Sequence, residues 1–357
     1  MAHDCDLDAL RDRCERALSG HGPVRAADLL ATIAPDTAVD HYGAGGVVTE
    51  LEREVAELLG QDSACYLPSG TMAQQAVLRV HAGRRGRRTV VFHPECHLLH
   101  HEGEALVRLH DLVGRPVGDR HRLLGLDDLT AVAEPLAALV VELPQRDLGG
   151  QLPAWEDLEQ QIGWARERGA AVHLDGARIW EAAAGYGRAP AELAGLFDTT
   201  YVSFYKGLGA LAGCCLVGPE DVVAEVREWR GRMGGTLFGL WPGAASALTC
   251  LRRRLPLMPD YLERARDIAL ALRDVPGVTV LPDPPQTPMM HLLLRTTPEA
   301  FIAAARGLAV DEGLWTWPRT MTTTDPCAQK VELSVGDATM ALTVEQAVDA
   351  VSALAGA

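Results

Sequence analysis

Apolar and polar positions follow two periods along most of the chain. Short, continuously apolar runs read as strands covered on both faces, at 64–67, 89–92, 137–143, 170–174, 200–204 and 210–217. Between them apolar residues recur at helical spacing. Leu51, Val55, Leu58 and Leu59 share one helix face, and Thr49-Glu50-Leu51-Glu52 in front of them predicts a capping box. Further helices are predicted over 72–81, 155–168, 219–232 and 244–254. The C-terminal part reads helix, strand, strand, helix, strand, helix, with a helix over 260–273, a strand over 291–294 and a last strand over 331–335. This alternation predicts an α/β fold with a mainly parallel central sheet. The charged stretch 252–259 and the proline-rich stretch 282–288 read as seams. They divide the chain into a large domain at 41–250 and a small α+β domain at 251–357. Residues 1–40 are expected to be a helical segment packed on the small domain or on a partner subunit.

Composition narrows this picture. The chain has 357 residues and a formal net charge of −15. An acidic total without a sustained basic stripe argues against a nucleic-acid partner. No apolar run reaches the roughly 18 residues of a spanning helix, so no membrane partner is expected. The N-terminus is acidic rather than a charged-then-apolar leader. The 8 cysteines form no CxxC pair and read as reduced core thiols of a cytoplasmic protein. Of the 33 Lys plus Arg residues, only Lys206 and Lys330 are lysines. Arginine stays protonated, whereas lysine can lose its proton and attack a carbonyl.

Four short motifs carry candidate chemistry. Lys206 lies in Ser203-Phe204-Tyr205-Lys206-Gly207-Leu208-Gly209, after an apolar strand and beside glycines. Desolvation there would lower its pKa and free the amine; the plain alternative is an exposed lysine. In His173-Leu174-Asp175-Gly176-Ala177-Arg178, Asp175 ends a strand, where ligands of open α/β sheets collect. Arg178 suits forked binding of a carboxylate, although a strand-end Asp also serves as a turn cap. Ser69-Gly70-Thr71 joins a strand to a helix, which suits either a phosphate or ordinary N-capping. His93 to Glu102 contains His97, His100 and His101. The spacing of His97 and His101 raises a metal site, for which no third ligand can be placed. The alternative is one histidine packed on an aromatic ligand with the others at the mouth of the site.

Together these residue types suit pyridoxal 5'-phosphate. That cofactor needs a lysine for its aldehyde, a helix N-terminus for its phosphate, a carboxylate at its pyridine nitrogen and a flat partner over its ring. The order SGTMA at 69–73, His97, HLDGAR at 173–178 and KGLGA at 206–210 resembles the threonine aldolase branch of the β-eliminating lyases, fold-type-I pyridoxal-phosphate enzymes. The resemblance runs from Tyr42-Gly43 to the C-terminus. It implies Lys206 as the lysine bonded to the cofactor, with Ser69, Gly70, Thr71 and Ser203 around it. It further implies Asp175 at the pyridine nitrogen, His97 over the ring and Arg178 at the substrate carboxylate. No metal is implied. It implies an amino-acid substrate, and a homodimer or homotetramer with sites at subunit interfaces.

Departures from the family pattern fall on the substrate side. Leu143-Pro144-Gln145-Arg146 stands where the family has Asn-Thr-His-Asn, so Gln145 replaces a histidine proposed to handle the substrate hydroxyl proton. Tyr205 replaces a serine before the lysine. Gly234-Gly235-Thr236-Leu237-Phe238 lacks an arginine expected near the phosphate. Glu332 stands in place of a second carboxylate-binding arginine, for which Arg146, Arg319 or His291 are candidate substitutes. His97, His100, His101 and Glu102 remain as candidate bases. The implied activity is cleavage of the Cα–Cβ bond of a β-hydroxy-α-amino acid to glycine and an aldehyde. β-Elimination, racemisation or transfer on an unusual amino acid is the alternative, and a non-catalytic pyridoxal-phosphate-binding protein is a third reading.

Overall fold

The computed structural model describes residues 9–356. They form two compact units. The first comprises residues 27–147 and 152–256; the second comprises 9–26, 148–151 and 257–356.

The first unit is built on a seven-stranded sheet. Its strands are β1 (Ser63–Leu67), β2 (Thr89–Phe92), β3 (Val113–Pro116), β4 (Leu136–Glu142), β5 (Ala171–Gly176), β6 (Thr199–Ser203) and β7 (Cys214–Gly218). They lie in the order β1-β7-β6-β5-β4-β2-β3. All neighbours run parallel except at β7, which is antiparallel to both β1 and β6. β5 is buried along its whole length, as a strand covered on both faces must be. β3 escapes the apolar pattern because Val-Gly-Arg-Pro forms an exposed edge, where little burial is required of the sequence.

The helix α1 (Gly46–Leu58) buries Val48, Leu51 and Val55 against the sheet unit. The predicted capping box does not open it. Gly45 and Gly46 take φ of 80° and 55°, which turns the Val47 N–H onto the Ala38 carbonyl at 2.9 Å. A Cβ on Gly46 would strike the Val39 carbonyl. The helix therefore starts before Thr49, whose Oγ1 accepts from the Gly45 N–H at 3.1 Å. The helix α2 (Gly70–Arg85) runs longer than the predicted 72–81. Ser69 caps its start, with Oγ accepting from the Met72 N–H at 3.2 Å, and Gly86 ends it in the left-handed region.

The second unit carries a three-stranded antiparallel sheet of β8 (Val278–Leu281), β9 (Met289–Leu294) and β10 (Gln329–Ser334), with β9 central. Helices Met258–Leu272, Pro298–Asp311 and Val344–Ala355 belong to it. Arg16–Ala17 pairs in parallel with Leu314–Trp315. Of the described cysteines, six are buried thiols and Cys327 is exposed, so it is not a core thiol; Cys5 lies outside the described residues. Among the described residues, no helix is long and apolar enough to cross a membrane.

Candidate active site

The parallel strands of the first unit end along one line. Register places Glu142 of β4 beside Asp175 of β5, and Asp175 beside Tyr201 of β6. Just past these ends, His97, His101, Glu142, Arg146, Asp147, Asp175, Arg178 and Lys206 line a cleft of ≈ 330 Å³, part of it open to solvent.

Asp175 is buried, and its Oδ1 accepts from the Ala177 N–H at 3.2 Å. Lys206 lies three residues past the end of β6. Burial lowers its pKa, and the Asp175 carboxylate pulls partly the other way. A Cβ on the adjacent Gly207 would overlap the buried Glu181 carboxylate unless that side chain moved. Glu142 has two tethers: Oε2 accepts from the His97 N–H at 3.1 Å and Oε1 from the Arg146 N–H at 3.2 Å. Desolvation, and then the neighbouring Asp175 charge, push Glu142 up to about 7.

His97 opens a single helical turn, His97–His100. Its Nδ1 lies 3.2 Å from Glu102 Oε1. The other Glu102 oxygen accepts from Gln75 Nε2 at 2.5 Å, and the Glu102 side chain has 0% exposure. A carboxylate at Nδ1 places the proton there and leaves Nε2 as an acceptor. Burial pushes the Glu102 carboxyl up, and the hydrogen bonds from His97 and Gln75 pull it back. Gln74, the neighbour of Gln75 on α2, meets His173 Nε2 at 2.6 Å, and Thr199 meets His173 Nδ1 at 2.9 Å. His173 is buried and held down to about 3, so it stays neutral beneath the site.

The start of α2 lies at the same end of the sheet, because a Cβ on Gly70 would strike the Tyr201 hydroxyl. Among the described residues the N–H groups of Gly70 and Thr71 have no hydrogen-bond partner. This is the donor arrangement that accepts an anion.

The fold thus brings together six of the residues singled out from sequence: His97, His101, Arg146, Asp175, Arg178 and Lys206. Ser203 is buried at the end of β6. His100 turns away, with Nε2 at 2.8 Å from the Pro94 carbonyl. Arg319 is an exposed residue of the second unit. Gln145 also turns away from the cleft and donates from Nε2 to the Glu95 carbonyl at 3.1 Å. Among the described residues, no group of three or more His, Cys, Asp and Glu is placed to hold a metal ion. Sequence reading missed Glu142 and Gln75. The signal for Glu142 was present, as the one charged residue closing an otherwise apolar strand. Gln75 carried none, since a glutamine in a helix is ordinary.

The comparisons with known proteins agree with this geometry. The β-eliminating lyase family model matches residues 25–295. A low specificity L-threonine aldolase of Escherichia coli (strain K12) is 30% identical over 252 residues, 69% of this chain and 75% of that protein. Among solved structures, an Exiguobacterium protein assigned as an aromatic amino acid beta-eliminating lyase/threonine aldolase is 37% identical. Its TM-score is 0.91 and the match covers 98% of each chain. A Listeria monocytogenes protein assigned as an L-allo-threonine aldolase is 34% identical with a TM-score of 0.92, over 99% of this chain and 98% of that one. Serine palmitoyltransferase, solved with pyridoxal phosphate, shares the fold at 17% identity and a TM-score of 0.71, over 95% of this chain and 86% of that one. The chain belongs to the β-eliminating lyase family and has the α/β type I fold of pyridoxal-phosphate-dependent enzymes.

Proposed function

We propose that the protein is a pyridoxal-phosphate-dependent lyase that cleaves the Cα–Cβ bond of a β-hydroxy-α-amino acid to glycine and an aldehyde. The observation that carries this reading is the convergence of Lys206, Asp175, Arg178 and His97 on one cleft at the strand ends. The donor set fits the cofactor. Lys206 offers an amine whose proton burial loosens, Asp175 a buried carboxylate, and Gly70 and Thr71 unpaired N–H groups at a helix start. When bound, pyridoxal phosphate supplies a conjugated ring that accepts the electron pair of the broken bond.

The protein's own residues do the rest. Lys206 would be the residue that holds the cofactor through its aldehyde. Asp175 would hold the proton of the cofactor's ring nitrogen, and the neutral His173 on the same strand adds no competing charge. Ser69, Gly70 and Thr71 hold the phosphate, with Ser203 close by in sequence to Lys206. His97, held at Nδ1 by Glu102, would pack against the cofactor. Arg178, with Arg146 across the cleft, holds the substrate carboxylate so that the Cα–Cβ bond is aligned for cleavage.

The test is incubation of purified protein with threonine, allo-threonine and phenylserine in the presence of the cofactor, with glycine and aldehyde measured. Glycine from at least one is expected. Products in which Cα and Cβ stay joined would instead mark elimination, racemisation or transfer. We further infer a homodimer or homotetramer in the cytoplasm, with the cleft completed at a subunit interface. The family resemblance and the free thiols support this, and the mass of the particle in solution tests the assembly.

A further inference from the structure

The family histidine for the substrate hydroxyl is Gln145 here, and Gln145 is bound to the Glu95 carbonyl outside the cleft. Some other group must accept the hydroxyl proton if the cleavage reading above, on which this inference rests, is correct. The cleft limits the choice. His100 is turned to the Pro94 carbonyl, and Glu102 lies behind His97 with no exposed side-chain surface. Glu142 stands in register with Asp175, and both its oxygens are held by backbone N–H groups. His97 is tied at Nδ1 and assigned to the ring face.

His101 is different. It lines the cleft with Arg146, Arg178 and Lys206, and it is exposed to water at the mouth. Among the described residues neither of its ring nitrogens has a hydrogen-bond partner, and its ring centroid lies 5.0 Å from that of His97. We infer that His101 is the base that takes the proton from the substrate's β-hydroxyl group. The proton passes from the hydroxyl oxygen to a ring nitrogen of His101. The C–O single bond becomes the aldehyde carbonyl as the Cα–Cβ bond breaks. The electron pair of that bond stays with the amino-acid fragment, which later takes a proton at Cα and leaves as glycine. His101 then passes its proton to water, which its exposure allows.

The titrating surroundings favour this role. The groups facing His101 are His97 and His100 on its own turn, and Arg146 and Asp147 after β4. Burial first, then His97, lowers its pKa, and Asp147 opposes this. The imidazole is therefore neutral near pH 7 and ready to accept a proton.

The experiment compares two reactions of the holoenzyme on the same cofactor, of which only one removes a hydroxyl proton. Cleavage of β-hydroxy-α-amino acids needs it; exchange of the glycine α-hydrogen with deuterated water does not. In His101→Phe and His101→Gln, kcat for cleavage should fall about 10²- to 10⁴-fold. Glycine exchange and the visible band of the bound cofactor should stay within about twofold, a readout unrelated to turnover. Cleavage at the wild-type rate and pH profile in either variant overturns the inference. Equal loss of cleavage and exchange in both also overturns it, because that marks general damage. A wild-type enzyme that exchanges glycine but cleaves none of the substrates instead overturns the cleavage reading.

Discussion

The two lysines of the chain each stand near a histidine–glutamate pair, one set in each unit, and the two sets differ in every physical respect. In the first unit, Lys206 shares its cleft with His97, whose Nδ1 is 3.2 Å from a Glu102 carboxylate that Gln75 holds from the other side. In the second, Lys330 lies opposite Leu293 across the β9–β10 ladder, and His291 pairs with Glu332 at 3.8 Å. His291 Nε2 is buried and makes no hydrogen bond among the described residues. The first set is closed and oriented at the ends of parallel strands; the second is a loose cross-strand neighbourhood. Charge type and count alone therefore do not mark a site. What marks it is a full set of partners around the same residue types, at a place where the fold leaves room for a ligand.

The strongest test of that contrast exchanges each lysine for arginine. Lys206→Arg keeps the charge but cannot bond to the cofactor's aldehyde, so activity should fall to background and the visible band of the bound cofactor should disappear. Lys330→Arg should leave both within about twofold, since a half-exposed edge residue contributes little. Equal effects of the two changes would break the comparison.

A smaller effect is expected from the two glutamates. Glu102→Gln removes a charged partner from His97 inside a buried network. A hydrogen bond to a charged group contributes about 1.5–3 kcal/mol, or roughly ten- to hundredfold, and the loss should appear in kcat more than in KM. Glu102→Asp should recover part of it. Glu332→Gln should have a smaller effect on kcat than Glu102→Gln, because the 3.8 Å contact with His291 lacks hydrogen-bond geometry. A larger effect of Glu332→Gln on KM would show that this position acts on the substrate, as its place in the family pattern suggests.

The same contrast explains what could be read from the sequence. The strands and most helices were legible because their apolar runs are long and their burial complete, as in β4 and β5. β3 was not, because an exposed edge imposes no apolar pattern. The start of α1 was misplaced because two glycines of positive φ, not the threonine, set the turn. Within the site, Lys206, Asp175 and Arg178 were legible through local spacing. Gln75 and Glu142 act through contacts between segments, and only the folded register brings Glu142 beside Asp175.

That last juxtaposition has a consequence for stability that the second unit does not share. Glu142 is held up to about 7 by desolvation and by the Asp175 charge, from an unfolded value near 4.5. The folded state therefore binds more protons than the unfolded state between those two values. By linkage, Glu142 contributes its stabilisation fully below about pH 4.5, and this is lost as pH rises towards about 7. Other carboxylates act in the opposite direction: Asp128, held down chiefly by its hydrogen bond with Arg122, gains stabilisation as pH rises. The clean measurement is thus a difference. Glu142→Gln removes the titration and keeps one of the two backbone acceptors; the lost one is a constant cost at every pH. Its Tm relative to wild type should rise between pH 5 and pH 7.5. A flat difference for Glu142→Gln would mean that the paired strand ends carry no mutual charge cost. The first unit's cleft would then differ from the second unit's pair only in hydrogen bonding.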